Sequence, residues 1–214
     1  MGCGAEGTAF CEICEAAELL PHGERCGLCG VLSPSSKTCA RCRRDGAPLH
    51  IWISTDYEGA AQKLLNSYKF RHQRVAVRPI AKVMLDTFNY FLGKQADQKN
   101  YLIVPIPSAT SRVRLRSFDH AELLAKTIAS HTEQDFSPAL SRLGQSRQVG
   151  AKRTQRLVQQ RGNYHVVRPD KIAGQKILVI DDVLTTGATL RAVYKTLRQA
   201  GAKQVDALVF AKRL

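Results

Sequence analysis

Beyond Pro48 the chain alternates between short apolar runs and longer segments in which apolar residues recur every three or four positions. Continuous runs are typical of buried strands, and the three-to-four spacing is typical of helices with one apolar face. The predicted strands are residues 51–57 (IWISTDY), Tyr101–Pro107, the run KILVID and the run VDALVFA; the predicted helices are residues 59–70, residues 80–91, the segment around Leu124 and the segment from Leu190 to about Gly201. This alternation predicts an α/β fold with a mainly parallel sheet covered on both faces.

The first 48 residues follow a different pattern. All seven cysteines of the chain lie there, and six of them form the Cys-x-x-Cys pairs Cys11/Cys14, Cys26/Cys29 and Cys39/Cys42. Strand and helix patterns begin only after the cysteines stop. We therefore divide the chain into a cysteine-rich segment, residues 1–48, and an α/β domain, residues 49–214.

The cysteine pairs predict metal binding rather than disulfides. Two thiolates separated by two residues can reach one tetrahedral zinc ion, and the N-terminal sequence has no pattern of a secretion leader. A structural zinc site with four thiolates leaves no position for a reactive water molecule. We take Cys26, Cys29, Cys39 and Cys42 as its ligands, with Cys11 and Cys14 as an alternative pair that replaces one of these or joins Cys3 in a second site.

The formal net charge of +14 is unevenly distributed along the chain. Residues 1–50 hold five Lys/Arg against six Asp/Glu, and the remaining residues hold twenty-seven against twelve, or +15. A field of this sign favours polyanions such as nucleic acids or a diphosphorylated sugar, although a solvated basic surface is the simpler alternative. Since no run of about 18 apolar residues is present, we expect no membrane insertion and a cytoplasmic protein.

One apolar run continues into an unusual polar stretch, ILVIDDVLTTGATL, from Ile177 to Leu190. Asp181 and Asp182 stand at the predicted carboxyl end of the strand, where ligands gather in parallel sheets. The segment Thr185–Thr189, called the phosphate loop below, offers hydroxyls, a glycine and the start of a helix that carries about half a positive charge. This arrangement predicts a sugar-phosphate site whose carboxylates reach sugar hydroxyls or magnesium. The alternative is an ordinary strand-turn-helix whose Asp residues cap the helix.

The same stretch resembles, residue for residue, the ribose-phosphate motif of type I phosphoribosyltransferases. The wider chain resembles the ComF-type competence family, in which a cysteine zinc finger precedes a phosphoribosyltransferase domain. The resemblance runs through Cys26–Gly30, Cys39–Cys42, Tyr57–Phe70 and Val104–Ala125, and through Gln148, Arg156, Gly162 and Tyr164. The chain departs from the family pattern at Ser117, Asp119, His120 and Gln159, and it has three cysteine pairs where many members have four.

This resemblance implies a type I phosphoribosyltransferase fold with an N-terminal zinc finger, and a site for phosphoribosyl pyrophosphate (PRPP) with Mg2+. Asp181 and Asp182 take the catalytic role in it, as contacts to the ribose hydroxyls and the magnesium ion. The implied PRPP-binding residues are Asp181, Asp182, Val183, Thr185, Thr186, Gly187, Ala188, Thr189, Lys69, Ser108 and Arg116. Lys69 has the alternative role of complementing a helix dipole. The resemblance places Arg112 and Arg114 with Arg116 in a basic loop next to the pyrophosphate; the alternative for these two is a solvated charge run. His120 beside Asp119 marks a helix start more simply than an acid-base pair.

The function implied is that of a ComF-like phosphoribosyltransferase-family protein in natural competence, with single-stranded DNA and a competence helicase as further partners. Two alternatives stay open: a purine or pyrimidine salvage phosphoribosyltransferase, and a non-catalytic PRPP-sensing factor that binds DNA. The basic segment Arg142–Arg161 has no aromatic residue, which is unfavourable for DNA binding by base stacking. The acceptor of the ribosyl group and the oligomeric state are not specified by the sequence.

Overall fold

The computed structural model describes residues 23–70, 76–92, 100–108, 119–142 and 164–213. The predictions for Cys11, Cys14 and Arg116 lie outside these ranges. The same holds for Cys3, Arg112, Arg114 and residues 143–163 of the basic segment.

A five-stranded parallel sheet forms the centre of the molecule. Its strands are β1 (Ile51–Asp56), β2 (Tyr101–Pro105), β3 (Asp135–Phe136), β6 (Lys176–Leu184) and β7 (Gln204–Lys212), and a separate antiparallel pair consists of β4 (Leu140–Arg142) and β5 (Tyr164–Val166). The order in the large sheet is β1, β7, β6, β2, β3, and all neighbours in it are parallel. The predicted α/β class with a mainly parallel sheet is confirmed.

Helices cover both faces of this sheet. They are α1 (Ala40–Arg44), α2 (Gly59–Phe70), α3 (Val77–Leu92), α4 (His120–Thr132) and α5 (Ala188–Gln199), with 3-10 turns at Pro34–Ser36 and Pro169–Lys171. Side chains alternate between the faces of a strand. In β6, accordingly, Leu178 and Ile180 pack with α2, α3 and α4, while Ile177 and Val179 pack with α5 on the other face. Among the helices described, none has the length and apolar character that crossing a membrane requires.

Strand β6 is longer than the hydrophobic pattern predicts. The apolar run ends at Asp181, but the strand continues to Leu184 because β7 continues beside it to Lys212. The register pairs Val183 with Ala211 and Leu184 with Lys212. Asp181 and Asp182 therefore lie within a paired strand and not after its end, which corrects the sequence-based boundary.

Residues 23–50, the described part of the cysteine-rich region together with the two residues that precede β1, are called the cysteine segment below. It lies against the β7 and α5 side of the sheet: the Leu49 amide donates to the Val205 carbonyl at 2.8 Å, and Leu28 packs against the core beneath α5. The division of the chain into two domains at residue 48 stays a prediction.

Candidate functional site

The carboxyl end of the sheet contains a step between two neighbouring strands. β2 pairs with β6 only as far as Pro105 opposite Ile180, whereas β6 continues for four more residues. Beyond Ile180, β6 keeps its partner on the β7 side, with Asp181 opposite Val209. The step exposes the polar end of β6 to a cavity.

This cavity has a volume of about 460 Å3 and lies between the end of β6, the end of β2 and the start of α5. Its lining is mainly polar in character. The carboxylates are Asp181 and Asp182, the hydroxyls belong to Ser108, Thr185 and Thr189, the cations are Lys69, Arg142 and Arg213, and the aromatic rings are Tyr57 and Tyr164. Such a mixture of convergent polar groups is typical of a ligand site.

The two carboxylates are held differently. Lys69, at the end of α2, places its Nζ 2.7 Å from Oδ2 of Asp182. Asp181 accepts the backbone N–H of Asp182 through Oδ1 at 2.9 Å. Burial, together with the adjacent Asp182 charge, raises the pKa of Asp181 to about 8. A cation placed between the two carboxylates would relieve this repulsion.

The phosphate loop connects β6 to α5. Gly187 has φ +77°, in the left-handed region, and its carbonyl accepts the N–H of Arg191 at 3.0 Å in the first turn of α5. Thr185, Thr186 and Thr189 are exposed, and the Thr186 hydroxyl oxygen accepts the N–H of Ala188 at 3.4 Å. Exposed hydroxyls and a helix N-terminus meet here, as anion binding requires.

The opposite wall is built by Ser108 and the start of α4. The Ser108 N–H donates to Oδ2 of Asp119 at 2.8 Å, and the other oxygen of Asp119 caps α4 by accepting the N–H groups of Ala121 and Glu122. His120 is buried, and its Nε2 lies 2.7 Å from the carbonyl oxygen of Tyr68. Asp119 and His120 thus serve as a helix start, the simpler of the two interpretations of that dipeptide.

A side wall comes from the small β4–β5 sheet and from the C-terminal end of β7. The guanidinium of Arg142 lies 5.5 Å from the ring centroid of Tyr164, and the Arg213 guanidinium lies 6.0 Å from that of Tyr57. Burial raises the pKa of Tyr164, and the Arg142 charge and the Thr189 side chain act in the opposite direction. The sequence predicted none of these four as a PRPP-binding residue. It placed Tyr57 and Tyr164 in family-like segments, and it suggested a hood or an anion-binding surface for the basic segment that begins at Arg142, with a solvated helix as the alternative.

The structure brings most of the predicted site residues to one place. Asp181, Asp182, Val183, Thr185, Thr189, Lys69 and Ser108 line the cavity, and Thr186, Gly187 and Ala188 complete the phosphate loop beside it. Arg116 lies outside the described residues. Whether the gathered residues bind PRPP stays a prediction.

A second cluster of ligating groups lies in the cysteine segment. The sulfur atoms of Cys26, Cys29, Cys39 and Cys42, called the cysteine cluster below, all lie within 4.8 Å of one another. Burial opposes ionisation of Cys26, but N–H donors from Cys39, Cys29 and Leu28 outweigh it and lower the pKa of Cys26 to about 7. Burial and the neighbouring thiols raise the pKa of Cys42 to about 12.

These values describe a crowded thiol group in which each added negative charge opposes the next. A cation at the centre would remove that opposition, and four convergent sulfur ligands suit a soft tetrahedral ion. The cluster can therefore hold a metal ion such as zinc.

The comparisons with known proteins fit this geometry. Residues 121–214, which include β6, the phosphate loop and β7, match the phosphoribosyl transferase domain family. The matched residues thus include the two carboxylates and the phosphate loop beside the cavity.

Similarity to individual proteins extends over nearly the whole chain. Competence protein ComFC of Bacillus subtilis is 27% identical over 198 residues, covering 89% of this chain and 78% of that protein. Competence protein ComFC of Streptococcus pneumoniae is 24% identical over 201 residues, covering 92% and 85%. The chain is thus similar to ComF-type competence proteins over nearly its whole length, in agreement with the resemblance found in its sequence.

A solved structure is also similar to this chain. It is a glutamine PRPP amidotransferase from Bacillus subtilis complexed with ADP and GMP, with 19% identity and a TM-score of 0.43 over 62% of this chain. The match covers 26% of that protein, so this chain spans about a quarter of its length.

Proposed function

We propose that this chain binds PRPP together with Mg2+ in the cavity at the carboxyl end of its sheet, and that it acts as a ComF-like protein in natural competence and DNA uptake. The observation that carries the proposal is the placement of Asp181, Asp182 and the phosphate loop around one cavity. The two halves of that arrangement suit the two halves of a ribose 5-phosphate.

The phosphate loop is the proposed site of the 5-phosphate. Its exposed hydroxyls at Thr185, Thr186 and Thr189 can donate to phosphate oxygens. The N-terminus of the twelve-residue helix α5 adds a favourable electrostatic contribution.

The carboxylates are the proposed contacts to the ribose hydroxyls and to magnesium. Oxygen ligands are those that Mg2+ prefers, and the raised pKa of Asp181 indicates a place where added positive charge is favourable. When bound, the ion would help to neutralise the pyrophosphate. Asp181 and Asp182 are the residues that would hold it, either directly or through water.

Cations and N–H donors around the cavity are proposed to hold the pyrophosphate. Lys69 already contacts Asp182, and Ser108 has its backbone fixed by Asp119. Arg142 and Arg213 line the cavity and can form forked hydrogen bonds to phosphate oxygens. In a transfer reaction pyrophosphate would leave C1 of the ribose, and these groups would position it and stabilise the charge that it gains.

The test of the site is calorimetric titration of PRPP with Mg2+ into the wild type and the double variant Asp181→Asn/Asp182→Asn. We expect at least about a 100-fold loss of affinity, since each carboxylate makes charged hydrogen bonds of about 1.5–3 kcal/mol. The matched control is Asp135→Asn/Asp170→Asn, which removes the same charge at exposed positions. Equal binding by the wild type and the site variant would overturn the proposal.

We also propose that the cysteine cluster holds one structural Zn2+. Elemental analysis of the purified protein should then give one zinc ion per chain, and Cys26→Ser should lose it. Cys11→Ser/Cys14→Ser should retain it, because the four described cysteines already complete a tetrahedral set. Loss of zinc from the second variant would favour the alternative ligand pair.

The role in competence is supported by the names of the curated relatives. We extend the proposal to a cytoplasmic location and to contact with single-stranded DNA and a competence helicase. Basic charge supports a polyanionic partner independently: Arg41, Arg43 and Arg44 are all exposed on α1. The variant with alanine at all three positions should bind DNA more weakly, and its remaining binding should depend less on salt concentration. Both results would support this contact.

The alternative functions differ in the products they form. A salvage phosphoribosyltransferase should release pyrophosphate when PRPP is presented with a purine or pyrimidine base. A PRPP-sensing factor should release none with bases or with single-stranded DNA, while its affinity for DNA changes when PRPP binds. One panel of nucleobases and DNA therefore separates the three possibilities.

A further inference from the structure

The turn that carries Cys26 and Cys29 contacts the phosphate loop through Leu28. Leu28 lies between Cys26 and Cys29, and a Cβ added to Gly187 would collide with its Cδ2 and lie 3.7 Å from its Cγ. Leu28 is partly buried and packs against the hydrophobic core on the α5 side of the sheet. The side chain of Leu28 therefore occupies the space next to the most conformationally permissive residue of the loop.

A second contact joins the other cysteine pair to the helix that follows the loop. Arg191, in the first turn of α5, donates from Nη1 to the Cys42 carbonyl oxygen at 2.9 Å, and the same nitrogen lies 3.8 Å from Oδ2 of Asp45. The Cys26/Cys29 turn thus contacts the phosphate loop through Leu28, and the Cys39/Cys42 pair contacts the first turn of α5 through the Cys42 carbonyl.

The packing of its neighbour Gly27 restricts the position of Leu28. A Cβ added to Gly27 would lie 2.7 Å from Cβ of Ile51 on β1. The turn between Cys26 and Cys29 is therefore pressed against the sheet, and only glycine fits at its second position. Gly27, next to Leu28, packs against β1, and the side chain of Leu28 packs against Gly187.

We propose that Leu28 is a positioning residue for the phosphate loop, and that through it the metal state of the cysteine cluster controls phosphate binding at Thr185–Thr189. The proposal rests on the function proposed above for this loop. Gly187 holds φ +77° but can adopt many other conformations. The apolar contact with Leu28 favours the binding conformation before any ligand arrives, so that less ordering remains for the ligand to supply.

The experiment compares Leu28→Ala with the control Leu32→Ala, a residue of the same segment that is 75% exposed. Two properties are measured: the affinity for PRPP with Mg2+, and amide hydrogen exchange of residues 185–189 in the ligand-free protein. For Leu28→Ala we expect affinity to fall about 3- to 10-fold and exchange in the loop to accelerate, with exchange at Leu178 in the sheet unchanged. The control should match the wild type in both.

The conservative variant Leu28→Met keeps the volume and apolar character of the side chain, so it should restore both properties and provides a folded comparison if Leu28→Ala is unstable. Wild-type exchange and affinity in Leu28→Ala would overturn the proposal. If the wild type itself binds no PRPP, the proposed function fails, and the exchange measurement alone decides the role of Leu28.

Metal removal tests the connection to the cluster. A chelator should accelerate loop exchange in the wild type, and it should have little further effect on the loop in Leu28→Ala, because the two changes break the same contact. Independent, additive effects would overturn the part of the proposal that concerns the metal.

Discussion

Asp181 and Asp206 lie on the neighbouring strands β6 and β7, yet their surroundings are opposite. Asp206 is fully buried, and its Oδ2 accepts the Tyr101 hydroxyl at 2.7 Å and the side-chain amide of Gln204 at 2.6 Å. Its Oδ1 accepts the His50 N–H at 2.9 Å and lies 3.0 Å from the Nδ1 of the same residue. Asp181 accepts one backbone N–H and has a second carboxylate beside it.

The difference separates a carboxylate that holds the fold together from one that is arranged for a ligand. Asp206 connects β7 to β2 and to the entry of β1, and both of its oxygens are used in doing so. Asp181 faces an open cavity and has a raised pKa. A raised pKa at such a position is typical of a group that interacts with a bound ligand. Substitutions at the two positions should therefore have opposite effects on stability.

The largest effect is expected for Asp206→Ala. It leaves the donors at Tyr101 and His50 without their acceptor inside the fold, so the free energy of unfolding should fall by about 3 kcal/mol. Urea unfolding measures this loss. Asp170→Ala, at an exposed position, is the control and should change the free energy by less than about 0.5 kcal/mol. A loss below about 1 kcal/mol for Asp206→Ala would contradict the structural role.

The second effect concerns Asp181→Asn and has the opposite sign at high pH. Because the folded protein raises the pKa of Asp181 from 3.8 to about 8, the contribution of its protonated carboxyl to stability is fully present below about pH 4 and is lost progressively as the pH rises to 8. The neutral amide avoids this loss. We expect the variant to match the wild type near pH 4 and to melt at least about 2–4 °C higher at pH 9, the shift typical of about 1 kcal/mol. Calorimetry over this range provides the check, and a pH-independent difference would contradict the assignment.

A smaller effect is expected for Lys69→Met. The ion pair with Asp182 is partly exposed, so its loss should cost about 0.5–1 kcal/mol of stability at pH 7. The lysine charge also lowers the pKa of Asp181, so the variant should titrate Asp181 at a higher pH than the wild type. NMR titration of the carboxyl carbons measures this shift. Lys63→Met, an exposed position on the same helix, should leave the titration unchanged.

The smallest effect is expected for Tyr164→Phe. The variant loses the hydroxyl group but keeps the ring beside Arg142, so stability should change by about 0.5 kcal/mol or less. Urea unfolding measures this change. A large destabilisation would show that the hydroxyl, rather than the ring, stabilises this wall of the cavity.

The sequence predicted the parts of the molecule that depend on neighbouring residues. Alternating apolar runs and helical spacing were sufficient for the sheet class, and ILVIDDVLTTGATL placed Asp181, Asp182 and the phosphate loop together because they are contiguous. The same locality explains the boundary error in β6. An apolar run ends where polar residues begin, whereas a strand continues as long as its partner pairs with it.

Features assembled from distant segments were not predicted. Tyr57, Arg142 and Arg213 reach the cavity only through the tertiary fold, and no periodicity along the chain encodes their meeting. The hydrogen bonds of Asp206 belong to the same class, since the acceptor is an acidic residue inside an apolar run. Tertiary packing determines where these side chains lie, and it depends on residues that are far apart in the chain.

Strand order has a consequence for how the protein is made. β7 lies between β1 and β6, so Ile51 meets Ala207 and Trp52 meets Leu208 only after residues 204–212 have been synthesised. During translation, the edges of β1 and β6 lack their shared partner, and unpaired apolar edges favour association with other chains or with chaperones. A nascent chain arrested before Gln204 would expose both edges, and the cell's quality-control machinery should treat it as an unfolded protein.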